Sequence, residues 1–300
     1  MNVCLALLLA LSPTDVGVRV VDNDIEIRFG DELFTRVHTG AEPRPYLYPV
    51  LAEGGVPMTR GWPMEERPHE ERDHPHHQSF WYAHGAVNGH DFWHDPEARV
   101  VLVEKPWIMV RDGTAVVICE YQWMAKEERV LTERRVFTFE RDGSDRMVDV
   151  SIELRASEGD LLFGDTKEGT FAFRVHPNLR LRGEVAKGSV LNREKVSGKD
   201  AWGKRSAWVA YQGPVEGAEV GVAIFDHSDN PRHPTWWHAR DYGLFAANPF
   251  GAHDFEGAPA GTGDLKIAKG EIVTFQYRVT IFKGTKAHAD LEAAYTAFTK

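Results

Sequence analysis

Cysteine is nearly absent from this chain, with Cys4 and Cys119 the only two among 300 residues. They can build neither a disulfide framework nor a CxxC knuckle, so zinc held through thiolates is excluded. Long apolar runs are missing as well: mean hydropathy is −0.39, and no stretch approaches the ~20 apolar residues that span a bilayer. There is no surplus of positive charge, since 35 Lys and Arg face 45 Asp and Glu for a net charge of −10. The cations are scattered rather than striped, which argues against nucleic acid and anionic membranes as partners. Helical periodicity is scarce too. The βαβ unit, the glycine-rich dinucleotide turn and the P-loop are missing with it.

What is present is period-two alternation broken by turn residues. "VRVVDNDIEIRF", "ARVVLVEKPWIMVRDGTAVVICEYQWMA", "RVLTERRVFTFERDGSDRMVDVSIELRA" and "EIVTFQYRVTIFKG" read as strands. "RDG" at Arg111–Gly113 and again at Arg141–Gly143 reads as a tight hairpin turn. Only "KAHADLEAAYTAFTK" is a convincing amphipathic helix, with Leu291, Ala294, Tyr295 and Phe298 on one face. Residues 41–98 and 226–265 lack alternation and read as two long loops, which are usually functional at that length. No linker or repeat divides the chain. The expectation is one all-β antiparallel domain over residues 17–300 with a short C-terminal helix. Residues 1–16, with the apolar run "VCLALLLAL", read as a secretory leader, placing the protein in the periplasm or outside the cell, or otherwise in the cytoplasm.

Histidine is concentrated. Seven of the 14 fall between His69 and His94, and imidazole is both the side chain that titrates near neutrality and the commonest nitrogen ligand for metals. In an extended segment His74 and His76 would face one way and His77 the other, with Pro75 fixing the backbone between them. A cupin-type metal site needs an H-x-H followed closely by Glu, and Gln78, Ser79, Phe80 and Trp81 supply none. No cofactor is therefore expected. A divalent metal held by His76 or His77 with His238 or His227 is the alternative, to be decided by metal content.

Three further stretches carry chemistry-bearing groups. "GDTKEG" sets Asp165, Lys167 and Glu168 on one turn, where Glu168 can serve as a carboxylate base. "WGKRSAWVAY" reads as a strand edge with cation–aromatic contacts. "IFDHSDNPRHPTWWHARDYG" brings His227, Trp236, Trp237, His238, Arg240, Asp241 and Tyr242 together. Aromatic faces among hydrogen-bonding groups suit a sugar ring. "RPYLYPV" adds Arg44 and Tyr46 as ligand contacts.

Taken in order, "RPYLYPV", "DHPHHQSFWYAHGAVNGHDFW", "FGDTKEGTFAFRV" and "IFDHSDNPRHPTWWHARDYGLFAANPFG" resemble the bacterial family of unknown function DUF6807, which also carries the label methane oxygenase PmoA. Methane oxidation is not carried over, because the chain has no spanning segment. "ERRVFTFERDGSDRMVDVSIELRA" and "FQYRVTIFKG" are similar in architecture to the galactose-mutarotase-like supersandwich. That resemblance implies a carbohydrate ligand and a Glu/His acid–base pair. The reading is an antiparallel supersandwich that binds a sugar in one cleft walled by Trp236 or Trp237, where His76 or His77, Lys167 or Glu168, and His238 or Arg240 meet. Glu168 would act as base and His76 or His238 as acid in epimerase, lyase or hydrolase chemistry. A non-catalytic carbohydrate-binding module is the other alternative.

Overall fold

The computed structural model describes residues 16–22 and 24–300. The proposed leader lies outside the described residues except for Val16, which already opens the first strand. Strands β1 (Val16–Val21), β2 (Asp24–Phe29) and β3 (Glu32–His38) form a meander, continued in the same sheet by β4 (Tyr46–Val50) and β5 (Phe80–His84). The chain then crosses to a second sheet through β6 (Ala98–Leu102), β7 (Trp107–Arg111), β8 (Thr114–Ala125), β9 (Glu128–Asp142) and β10 (Asp145–Arg155). A short β11 (Leu161–Phe163) precedes β12 (Gly169–Arg174), which returns to the first sheet beside β5. After β13 (Ser189–Asn192) come the edge strand β14 (Arg205–Ser206) and the hairpin β15 (Trp208–Val215) and β16 (Ala218–Asp226). Next are β17 (Thr235–Ala239), β18 (Leu244–Asn248), the one-turn helix α1 (Ala252–Glu256) and β19 (Leu265–Ile267), then β20 (Ile272–Lys283) and helix α2 (His288–Phe298).

Two nine-stranded antiparallel sheets result. The first runs β1-β2-β3-β4-β5-β12-β18-β17-β14, and the second runs β13-β15-β16-β20-β10-β9-β8-β6 with β7 also paired to β8. The long hairpins follow from alternation: β8 is buried at every second residue along its whole length, so one face meets the core and the other meets water. Asp112 and Gly113 both take positive φ in the β7–β8 turn, the conformation a two-residue type I′ turn requires. One apolar core is shared by the facing sides of both sheets, with Tyr82, Phe171, Phe173 and Phe245 meeting Val117, Phe137, Ile152 and Tyr277. Each such side chain contributes roughly 1.5–3 kcal/mol on burial.

Helix α2 covers the outer face of the second sheet. Leu291 and Tyr295 pack on Trp208, Phe225 and Phe282, and Arg193 holds Glu292 through two contacts of 2.6 and 3.0 Å.

The two segments read as long loops are corrected by the structure. Residues 41–98 contain β4 and β5, and residues 226–265 contain β17 and β18, all of them inner strands of the first sheet. The reason is physical. Every residue of β5, β12, β17 and β18 is buried, so neither face is exposed and no polar alternation marks these strands. Their second covering is the histidine-rich chain itself. It lies on the outer face of the first sheet over a smaller apolar cluster of Trp81, Ala83, Trp93, Ala172, Leu244 and Ala246.

Candidate functional site

Buried arginines fix the histidine-rich segment. Arg60, 2% exposed, donates to the carbonyls of Trp62, Glu71 and His74 and bonds the Asp73 carboxylate at 2.5 Å. Arg180 reaches the carbonyl of His69, and Glu70 accepts from the backbone N–H groups of Gly61 and Trp62 at 2.7 and 2.8 Å. The chain at 74–77 is therefore a turn, closed by the His77 N–H to the His74 carbonyl at 3.0 Å. This overturns the extended reading in which His77 faced away. The rings of His74 and His77 stack at 4.7 Å and 14°, and His76 meets His77 edge-on at 4.5 Å.

Parity on the first sheet decides what else reaches this segment. In β17, Trp237 and Ala239 point into the shared core, while Trp236 and His238 point outward. In β12, Phe171 and Phe173 point inward, leaving Arg174 outside. The turn before β12 folds back over the same outer face. It is held by Asn248 to the Thr166 carbonyl (3.0 Å), by the Gly85 N–H to the Glu168 carbonyl (2.7 Å) and by Asp254 to the Lys167 N–H (2.8 Å). Gly85 is required for this approach, because a Cβ there would meet the Glu168 Cβ at 2.9 Å.

A cavity of about 360 Å³ results, lined by His77, His94, Lys167, Glu168, His238 and Arg240, with Asp73, His74, Arg182 and Tyr242 completing its wall. It lies on the outer face of the first sheet rather than at a loop-lined end of the sandwich. A larger cavity of about 710 Å³ beside β1 and β7 is lined by aliphatic side chains such as Val20, Ile25, Val101 and Ile108 and by the ionisable groups Asp22, Asp24, His38, Glu42 and Lys105. The smaller one is where the histidine-rich segment, the Lys167–Glu168 turn and Arg240 meet.

Its electrostatics can be read atom by atom. His238 Nδ1 lies 2.9 Å from the Lys167 carbonyl. A carbonyl only accepts, so Nδ1 carries the proton and Nε2 keeps its lone pair. That Nε2 is buried and has no partner. Burial, with the Arg240 charge adding to it, pushes the His238 pKa down to about 3. His77 is the complement: its Nδ1 accepts from Arg174 at 3.2 Å, so in the neutral ring Nε2–H is the donor. Burial and then Arg174 hold its pKa well below the usual range. Two neutral imidazoles of opposite hydrogen-bonding sense thus line one cavity.

Charged groups surround them. Asp73 is shared by Arg60 and Arg174; against its burial, the His74 hydrogen bond and these two cations hold its carboxyl well below the ordinary carboxylate range. Burial and the neighbouring Arg60 push Arg174 down to about 9. Its guanidinium lies over the Tyr242 ring at 4.6 Å, which also stacks on His74 at 5.4 Å. Glu168 stands 3.5 Å from the Lys167 ammonium and 3.8 Å from His94 Nε2, whose other nitrogen bonds Asp91 at 2.9 Å.

Not every expected residue arrives here. Trp236 and Trp237 do not wall the cavity: Trp237 lies in the shared core and donates to the Ser206 carbonyl, and Trp236 bonds Glu256 under the Arg205 guanidinium. His227 packs against Phe298 of α2. Asp165 braces backbone, accepting from the N–H groups of His253 and Gly263. Tyr46 stacks on His38 and packs against the outer apolar cluster. His76 sits behind His77 and His94, with burial and then the His94 charge lowering its pKa to about 3. Arg44 lies beneath it and donates to the His76 carbonyl at 3.2 Å, with burial lowering its pKa to about 10. Asp241 pairs with Arg182 at the rim.

Burial pushes both His76 and His238, the two rings expected to act as acid, down to about 3, which favours their neutral forms. Sequence reasoning missed Asp73, Asp91, His94 and Arg174. The i, i+3 spacing of Asp91 and His94 was a usable signal, and so was an arginine ending the apolar run "FAFR". Among the described residues no three His, Cys, Asp or Glu side chains are grouped to hold one metal ion, the His76, His77, His227 and His238 set included.

No curated protein matches the sequence. Solved structures similar in fold include the galactosidase domain of an alpha-galactosidase–sucrose kinase (8% identity, TM-score 0.41, 89% of this chain and 42% of that one). A GH36 alpha-galactosidase from Geobacillus stearothermophilus has 9% identity and a TM-score of 0.43 over 89% of this chain and 41% of that one. A galactose mutarotase-like protein from Lactobacillus casei has 10% identity and a TM-score of 0.36, over 89% of this chain and all of that one. This chain spans less than half the length of either galactosidase. The pattern of one family covers residues 24–296, and the chain belongs to that family, DUF6807, a family of unknown function.

Proposed function

We propose that the cavity binds a carbohydrate and performs acid–base chemistry on it through Glu168. The observation that carries this reading is the pairing of a neutral His77 donor with a neutral His238 acceptor in the same cavity as the Glu168 carboxylate. A sugar hydroxyl both donates and accepts, and fixed neutral partners of each sense can orient a polyol.

In the mechanism that follows, Glu168 takes a proton from a ring carbon or hydroxyl. Lys167 at 3.5 Å steadies the carboxylate while it is charged. His94, held by Asp91, stands beside Glu168 to pass the proton onward. His77 N–H donates to the oxygen on which negative charge develops, and His238 fixes the neighbouring hydroxyl.

The test is incubation of the protein with gluco-, galacto- and manno-configured sugars in deuterated water, followed by proton NMR for exchange or epimerisation. Glu168→Gln is expected to keep binding and to lower turnover by about 10²-fold or more. If none of these sugars binds at millimolar concentration, the proposal fails. If sugars bind but nothing turns over in the wild type, the catalytic part fails and a binding module remains.

A further inference from the structure

The cations of the cavity are not alike. Lys167 is paired with Glu168 and Asp254, Arg182 with Asp241, and Arg174 with Asp73. Among the described residues Arg240 has no carboxylate within ion-pair reach; its guanidinium carbon is 5.8 Å from the centroid of the Trp202 ring and 5.3 Å from that of Tyr242. A guanidinium that packs on aromatic rings and has no carboxylate partner keeps N–H groups to spare, the fork that grips a carboxylate through two parallel bonds. The surroundings leave that charge uncompensated. Lys167, Arg182 and Arg240 stand against Asp73 and Glu168 in the cavity wall, and Asp73 is already claimed by two buried arginines. In a chain of net charge −10, the residues lining this cavity carry three cations against two carboxylates.

Arg240 also belongs to a second cavity. A recess of about 240 Å³ adjoins the first and is lined by Lys199, Trp202, Arg240 and Asp241. Trp202 is half-buried there with its indole Nε1 buried, and among the described residues Nε1 has no partner and Lys199 makes no ion pair. An exposed indole face beside a lysine and a shared arginine has the makings of a further sugar subsite.

Resting on the carbohydrate reading above, we infer that the ligand is an acidic oligosaccharide of at least two units. Arg240 binds a uronic-acid carboxylate at the junction, and Trp202 stacks the second ring. The catalytic cavity takes one unit. The Trp202 recess takes its neighbour.

Calorimetric titration tests this with galactose, galacturonate, glucose, glucuronate and the α-1,4-linked dimer of galacturonate. The wild type is expected to bind the uronates roughly tenfold tighter than the matching neutral sugars. Arg240→Gln erases that preference and Arg240→Lys restores part of it, with thermal unfolding confirming that each variant is folded. Trp202→Ala weakens the dimer roughly tenfold more than it weakens the galacturonate monomer. Equal affinity for neutral and acidic sugars overturns the carboxylate assignment while leaving the carbohydrate reading intact. A dimer that binds no tighter than its monomer overturns the second subsite. Absence of any binding, neutral or acidic, removes the underlying function and this inference with it.

Discussion

Two buried charge clusters sit in this protein, and they are built to opposite ends. Around Glu133 the two opposite charges satisfy each other. Arg135 Nη2 bonds one carboxylate oxygen at 3.0 Å and Arg135 Nε bonds the other at 2.5 Å, Trp123 Nε1 donates at 2.6 Å, and the guanidinium lies against the rings of Tyr82 and Tyr121. Although burial opposes it, Glu133 holds the Arg135 pKa above its ordinary value. Around Arg174 the opposite holds. Nε of Arg174, Nε and Nη2 of Arg44, and Nε2 of His76 and His238 are all buried without partners, and both arginines have depressed pKa values of about 9 and about 10. A closed cluster contributes to a unique fold. An open one leaves donors and acceptors for something to bind, at a cost in stability.

Three outcomes would break or sharpen that contrast. The largest belongs to the closed cluster: Glu133→Ala strands the Arg135 charge in the core and is expected to cost ~3–5 kcal/mol in urea unfolding, with sugar binding unchanged in whatever remains folded. A loss below about 1 kcal/mol would show that the cluster is wetter than its geometry implies.

The second concerns acid. His238 has a folded pKa of about 3 against 6.5 for an ordinary imidazole, so below pH 6.5 the unfolded chain takes up a proton that the folded form refuses. The stability due to the neutral ring is complete above that pH and is lost as pH falls toward 3. His238→Asn keeps the donor to the Lys167 carbonyl and removes the titration. Between about pH 4 and pH 6 it should flatten the dependence of unfolding free energy on pH by about 1.4 kcal/mol per unit. An unchanged slope would mean that His238 is protonated in the fold, and its assignment as an acceptor would be lost.

The smallest belongs to the open cluster. Arg174→Met removes a poorly compensated buried cation while Arg60 still holds Asp73, so stability should stay within about 1 kcal/mol of the wild type. The His77 ring loses its donor and becomes free to turn, and binding of the sugar ligand should weaken by about tenfold or more. A large loss of stability with binding retained would reverse the two roles.

Much of this was legible before any coordinates. The hairpins at Arg111–Gly113 and Arg141–Gly143 and the helix bearing Leu291 and Tyr295 follow from alternation and helical spacing, both local signals. The inner strands β5, β17 and β18 were not legible as strands, because a segment buried on both faces carries no alternating polarity. The site was half legible. That "GDTKEG", the histidine run and "WHARDYG" hold unusual groups was visible, and the structure brings His77, Glu168, His238 and Arg240 to one cavity. Which tryptophan faces it was not, since that depends on the parity of β17, fixed by its pairing with β18. The tautomers of His77 and His238 depend on partners 97 and 71 residues away in sequence, and no local pattern encodes them.

The parity of β17 has a consequence for how this protein can change. Trp237 opposite Ala247 and His238 opposite Ala246 place an indole in the core and an imidazole in the cavity. Moving the strand by one residue would exchange them, putting the polar ring among Phe245 and Tyr211 and the large apolar one over the site. Insertions or deletions of a single residue between Pro234 and Ala239 are therefore disfavoured twice over, by the core and by the proposed binding cavity. Variation in this segment is confined to substitution, and the spacing of "TWWHA" is under tighter constraint than the identity of any one of its residues.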